Sequence, residues 1–197
     1  MYTAPETAAR EREVNSLYVT TAIVVLVIVT VTFGSLIFAF VWRSQNTYLW
    51  EHLRVPSLLW ITTAILLASS VTLERARYLL KTEDRTGFNR FLQLTAGLGL
   101  LFLIGQAAAW FQVMHSDVIL EQDKHSWFIF LFSGMHAIHI LVGLAGLGYL
   151  VYRTYEAASG PRYQMTTRAS TNAMAIFWHY LGFVWLVLFV LLLTWRR

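Results

Sequence analysis

The sequence predicts an all-α integral membrane protein, a bundle of five transmembrane helices with the N-terminus cytoplasmic and the C-terminus outside. Three observations lead there. The 197 residues are 57% hydrophobic and only 13% charged, outside the usual range of soluble domains. Five apolar segments each reach the roughly 20 residues that cross a bilayer. Basic residues are distributed unequally between the two sides that those segments define.

Residues 1–16, MYTAPETAAREREVNS, are polar and of mixed charge. They lack the basic start and apolar stretch of a cleaved signal, and their acidic residues argue against a transit peptide. They read as a tail at the membrane surface, preceding one compact domain over 17–197. The first segment, Leu17–Trp42, is almost unbroken Val, Ile, Leu and Thr. β-Branched residues favour strands in water, but in lipid the backbone must satisfy itself and a helix is expected.

Gln45 to Pro56 is a polar loop, and Pro56 suits a helix start. The second segment, Ser57–Leu80, is the richest in hydroxyls, with Thr62, Thr63, Ser69, Ser70 and Thr72. Its apolar part ends near Leu73, and Glu74, Arg75 and Arg77 extend it beyond the membrane. Lys81 to Gly87 is a charged connector. The third segment, Phe88–Met114, carries Gln93 and Gln106.

The fourth segment, Ser126–Tyr152, contains no Asp, Glu, Lys or Arg, but has His136 and His139 three apart on one helix face. Gly134, Gly143 and Gly146 flank that face. Polar groups beside small residues point at other helices rather than lipid. Arg153 to Thr171 is a mixed loop with a turn signal at Gly160-Pro161. The fifth segment, Asn172–Trp195, carries His179.

Orientation follows from Lys and Arg. Arg10, Arg12, Arg75, Arg77, Lys81, Arg85, Arg90, Arg153, Arg162 and Arg168 fall on the N-terminal side, against Arg43, Arg54, Lys124, Arg196 and Arg197 on the other. Trp42, Trp60, Trp110, Trp127 and Trp195 mark the outer boundary, and Tyr18, Tyr78 and Tyr152 the inner one. The basic residues are scattered over loops, with no dense arm for nucleic acid. There is no cysteine, hence no disulfide and no thiolate metal site.

Depth along the helices places the polar groups together. At about 1.5 Å per residue, His136 and His139 lie roughly 15 and 20 Å below the outer end, His179 roughly 24 Å, and Ser69, Ser70 and Thr72 roughly 18–23 Å. These six form a structural polar layer in which hydrogen bonds between helices are expected, because an unpaired polar group in hydrocarbon is costly.

Three readings of the histidines stand open. Neutral imidazoles can hold helices in register. His139 and His179 can face each other as haem ligands, which requires room for a macrocycle. A proton relay is the third, although Glu74 is the only carboxylate in the spans. A copper or zinc site completes the set. No Walker loop, HExxH or nucleophile–base pair at motif spacing is present. The residues assign no catalytic, cofactor-binding or metal-binding side chain.

The chain resembles subunit III of the haem-copper oxidases, in its five-helix bacterial form. The resemblance rests on Ser133-Gly134-Met135-His136-Ala137-Ile138-His139 followed by Gly143, and on Phe177-Trp178-His179-Tyr180 followed by Trp185. It rests further on Pro56, Trp60 and Leu67-Ala68-Ser69-Ser70-Val71-Thr72, and on Gly105-Gln106. Gln106, Trp178 and Trp185 are thus family-motif residues.

The resemblance implies a non-catalytic subunit of the bacterial inner membrane. Such a subunit packs on subunit I, holds phospholipid and supports proton uptake and stability of a cytochrome c oxidase. Haems and copper are then expected on partner subunits I and II, a small subunit IV is a further candidate partner, and nucleic acid is not. A quinol oxidase subunit III, a nitric oxide reductase accessory protein and, more distantly, a small bis-histidine membrane cytochrome are the alternatives. The sequence departs from many family members at three carboxylate positions. They correspond to the region Ile28-Val29-Thr30-Val31, to Ala109 and to Gly182.

Overall fold

A computed structural model describes residues 4–45, 57–115, 126–155 and 161–194. Five helices follow one another: α1 Ala4–Gln45, α2 Leu58–Lys81, α3 Arg85–Met114, α4 Ser126–Tyr155 and α5 Pro161–Thr194. All five are long and apolar enough to cross a membrane. At 24 residues α2 spans about 36 Å, enough for the hydrocarbon layer of about 30 Å.

Three helices begin earlier than the apolar runs indicate, α3 by a single turn at Arg85 and α1 and α5 by more. α1 already starts at Ala4, so most of the polar N-terminal stretch is helical. α5 starts at Pro161 and takes in eleven residues read as loop, 161–171. Pro161 at the first helical position needs no hydrogen-bonded N–H. The α1 extension is largely exposed where it is described, whereas that of α5 packs on the bundle and buries Thr167, Ala169 and Thr171. Pro56, Trp127's side chain, Arg162's side chain and Trp195 lie outside the described part.

α2 and α3 form a tight antiparallel hairpin. Its turn has Glu83 at φ 64° and a bond from the Asp84 N–H to the Leu79 carbonyl at 3.0 Å. This is a Schellman closure with Glu in the left-handed position that glycine usually fills. Asp84 then caps α3, its carboxylate accepting from the Gly87 N–H at 2.9 Å. Any Cβ on Gly87 would collide with that carboxylate.

α5 is the central helix. It packs against α1, α2 and α4, while α3 completes the ring between α2 and α4. Its buried side includes Ala175, Trp178, Leu181, Val184, Trp185 and Leu188. The outward faces of α1–α4 carry Val, Ile, Leu and Phe, as lipid-facing surfaces require.

Candidate functional site

The polar residues of the spans are held chiefly by tryptophans. Trp178 on α5 is fully buried, and its indole N–H donates to the Ser69 hydroxyl of α2 at 3.0 Å. Two turns on, the Trp185 N–H donates to Thr63 at 2.9 Å. A seven-residue step keeps both indoles on one α5 face, and antiparallel α2 presents its hydroxyls at matching heights. A third indole, Trp110 of α3, donates to Ser133 of α4 at 2.8 Å. Gln106 donates to Thr62 at 3.2 Å, and Thr72 and Thr95 share a 2.8 Å bond. Together these bonds tie α2 to α5, α3 to α4 and α2 to α3.

Trp178 fits because two glycines make room. A Cβ on Gly99 of α3 would come within 2.7 Å of the indole, and one on Gly143 of α4 within 3.0 Å. Gly146 meets Met174 in the same way at 2.8 Å, whereas Gly134 stands at ordinary contact distance, 3.9 Å, from Trp110. Gly105 closes on Thr62. Gly99 and Gly105 were not singled out as packing positions, because α3 has several small residues and nothing in the sequence distinguishes those facing a neighbour.

The expected polar layer divides. Ser69 and Thr72 bond to other helices, but among the described residues Ser70 makes only a long 3.4 Å bond to its own helix, at Leu66. Ser70 lies 3.7 Å from where a Cβ on Gly182 would be.

The histidines have three different environments. His136 is fully buried, and neither ring nitrogen has a hydrogen-bond partner among the described residues. Its ring instead lies among Trp185 (centroids 5.0 Å), Phe102 (5.8 Å) and Phe33 (6.2 Å). The expectation that it bonds between helices is therefore not met. Aromatic edges and faces surround it where Ser or Thr was expected.

His139 Nδ1 is 2.7 Å from the Met135 carbonyl of its own helix, and its ring packs on Phe33 of α1. His179 Nε2 lies 2.7 Å from Glu74 of α2. Arg77 binds the same carboxylate at 2.6 Å and reaches the Asn172 side-chain oxygen from two nitrogens. His139 and His179 are thus engaged by different helices, and a ligand shared by both would have to break these contacts. No group of three or more potential metal ligands occurs among the described residues.

α1 is held to the bundle by a hydrogen bond between Thr30 and the Tyr180 hydroxyl. Thr30 falls in the region where the sequence lacks a carboxylate. The pairings of Thr30 and Glu74 were missed because each partner lies on a helix distant in sequence.

A family model described as cytochrome c oxidase subunit III matches residues 39–197. The chain belongs to the cytochrome c oxidase subunit III family. The subunit III match takes in α2–α5 and with them every interhelical indole bond described above. It is similar to a cytochrome c oxidase subunit 3 of Corynebacterium diphtheriae, 30% identical, over 71% of this chain and 66% of that protein. One from Synechocystis is 25% identical, over 66% of this chain and 54% of that protein. A probable cytochrome c oxidase subunit 3 of Nocardia farcinica is 26% identical, over 75% and 68%. The chain thus spans between about half and two thirds of the length of these subunit III relatives.

Proposed function

We propose that this chain is the non-catalytic accessory subunit III of a bacterial proton-pumping terminal oxidase that passes electrons from cytochrome c to oxygen. In this role it packs on subunit I, with subunit II in the same complex, and holds phospholipid. It also supports proton uptake and the durability of the catalytic centre. Its N-terminus is cytoplasmic, as the distribution of Lys and Arg supports.

The observation that carries this reading is the engagement of the polar groups. Trp110, Trp178, Trp185, Gln106 and Thr72 direct their hydrogen bonds to neighbouring helices. That is the arrangement of a scaffold. Lipid retention is supported by an apolar groove of about 520 Å³ between α1, α4 and α5, lined by Leu17, Val25, Val142, Leu150, Met174 and Phe177.

The test is a mild-detergent pull-down through a tag on the N-terminus, with an optical spectrum and mass spectrometry of the eluate. Co-purification of subunit I bearing haem and copper, together with subunit II, is expected, and subunit II will identify the electron donor. The separated chain should be colourless. A chain that elutes alone and carries haem would overturn the reading.

A further inference from the structure

α5 is the central helix, yet one of its faces is open. Ile176, Phe183, Val187 and Val190 are exposed. Ile176, Phe183 and Val190 recur every seven residues with Val187 between them, so they form one stripe along the helix. Successive residues turn by about 100°, which sets His179 on one flank of the stripe and Tyr180 on the other. His179 bonds to Glu74 of α2, and Tyr180 to Thr30 of α1. The stripe is therefore the floor of a groove whose walls are α1 and α2. Among the described residues these two helices are not packed on one another, whereas α2 packs on α3, α3 on α4, and α4 touches α1.

The walls continue the pattern. On α2, Leu67 and Val71 are exposed at helical spacing, and Glu74 follows on the same face. On α1, Gly34 lies one turn beyond Thr30, and a Cβ there would meet nothing within 4 Å. A floor with 3–4 spacing between two helical walls has the shape that receives one further helix. Acyl chains would suit its apolar length equally well, and Glu74 decides against them.

Glu74 stands one turn, about 6 Å, on the membrane side of Tyr78. At this inner edge of the hydrocarbon about half of its side chain is exposed. His179 and Arg77 both reach its Oε1, and its Oε2 accepts from no described residue. An open carboxylate oxygen is costly against acyl chains and is stabilised by a donor. In detergent, water reaches this carboxylate in the separated chain. A second copy related by a two-fold axis along the membrane normal would bring Glu74 to the depth of its own counterpart, acceptor against acceptor.

From this geometry we infer that the groove between α1 and α2 receives a transmembrane helix of subunit I, which places a hydrogen-bond donor opposite Glu74. The inference rests on the proposed packing on subunit I and names the face and the polar contact through which it occurs.

The experiment uses the complex purified through the N-terminal tag. The photo-crosslinking residue p-benzoylphenylalanine replaces Phe183 or Val190 in the groove, or Ile104, which is exposed on α3 away from it. After illumination, mass spectrometry identifies the chain attached. Crosslinks to subunit I are expected from both groove positions and not from Ile104. In parallel, Glu74→Leu is compared with wild type for retention of subunit I through detergent washing. Leucine suits a lipid-facing position, so a lipid-filled groove would leave retention unchanged. Loss of a charge-assisted bond should instead lower retention roughly tenfold.

Groove crosslinks to a second copy, to another subunit or to no protein, with subunit I in the sample, overturn the inference alone. So does unchanged retention in Glu74→Leu. If that variant lowers the melting temperature of the separated chain, the crosslinks decide by themselves. Absence of subunit I from the wild-type sample overturns the proposed function, and this inference with it.

Discussion

The indole N–H of Trp178 and the hydroxyl of Ser69 meet at 3.0 Å between α5 and α2, and neither residue has any exposed surface. Ser69 also donates to the Leu66 carbonyl at 2.6 Å, so its hydroxyl is used in both directions. Ser69→Ala strands the indole donor in a site that water does not reach. It should cost about 1 kcal/mol or more in thermal or denaturant stability. The adjacent Ser70→Ala removes only a long bond within one helix and should change stability by less than about 0.5 kcal/mol. Equal effects at the two positions would refute the assignment of the indole to Ser69.

Gly99 and Gly97 provide a matched pair on α3. A methyl at Gly99 would press on Trp178 and Leu144, whereas one at Gly97 meets nothing within 4 Å. Gly99→Ala should destabilise by about 1–3 kcal/mol through overpacking. Gly97→Ala should be neutral or slightly stabilising, because alanine is the better helix former. Melting temperatures of the two variants, measured side by side in one detergent, check this.

His136 sits among Trp185, Phe102 and Phe33, with no hydrogen-bond partner among the described residues. Replacing a buried polar group that makes no bond with an apolar one of similar size is close to neutral. His136→Leu should therefore hold its melting temperature to within the equivalent of about 1 kcal/mol. A collapse of the bundle on that substitution would mean that the imidazole bonds a group the protein side chains do not supply.

His179 and Glu74 are both partly exposed, at 36% and 49% of their side chains. A double-mutant cycle with Glu74→Gln and His179→Gln should give a coupling energy of about 1 kcal/mol or less, as for other solvent-accessible pairs. Arg77 competes for the same carboxylate oxygen. Adding Arg77→Gln should therefore raise the His179–Glu74 coupling. A coupling that does not respond to Arg77 would show that the three groups do not form one network.

Five membrane helices were legible because lipid imposes one dominant rule, a long apolar run with its backbone satisfied internally. That rule says nothing beyond the hydrocarbon. The first turns of α1 and α5 escaped it, since a helix of mixed polar residues such as 161–171 and a polar loop can have the same composition. Family membership was legible as well, because Trp178, Trp185, Gln106, His136 and His139 recur at set spacing along single helices.

By itself the sequence determined the class, the number of spans, the family and which residue types line the bundle. Each of these depends on hydropathy or spacing within one segment. Tertiary structure alone decided the partners. It joined Trp178 to Ser69, Trp185 to Thr63 and His179 to Glu74, and left His136 among aromatic rings. It also selected Gly99 and Gly143, from several candidate glycines, as the slot for Trp178. The physical reason is that such contacts depend on how two helices are rotated about their axes and shifted along them. Those quantities follow from packing the whole bundle at once, and no single helix encodes them.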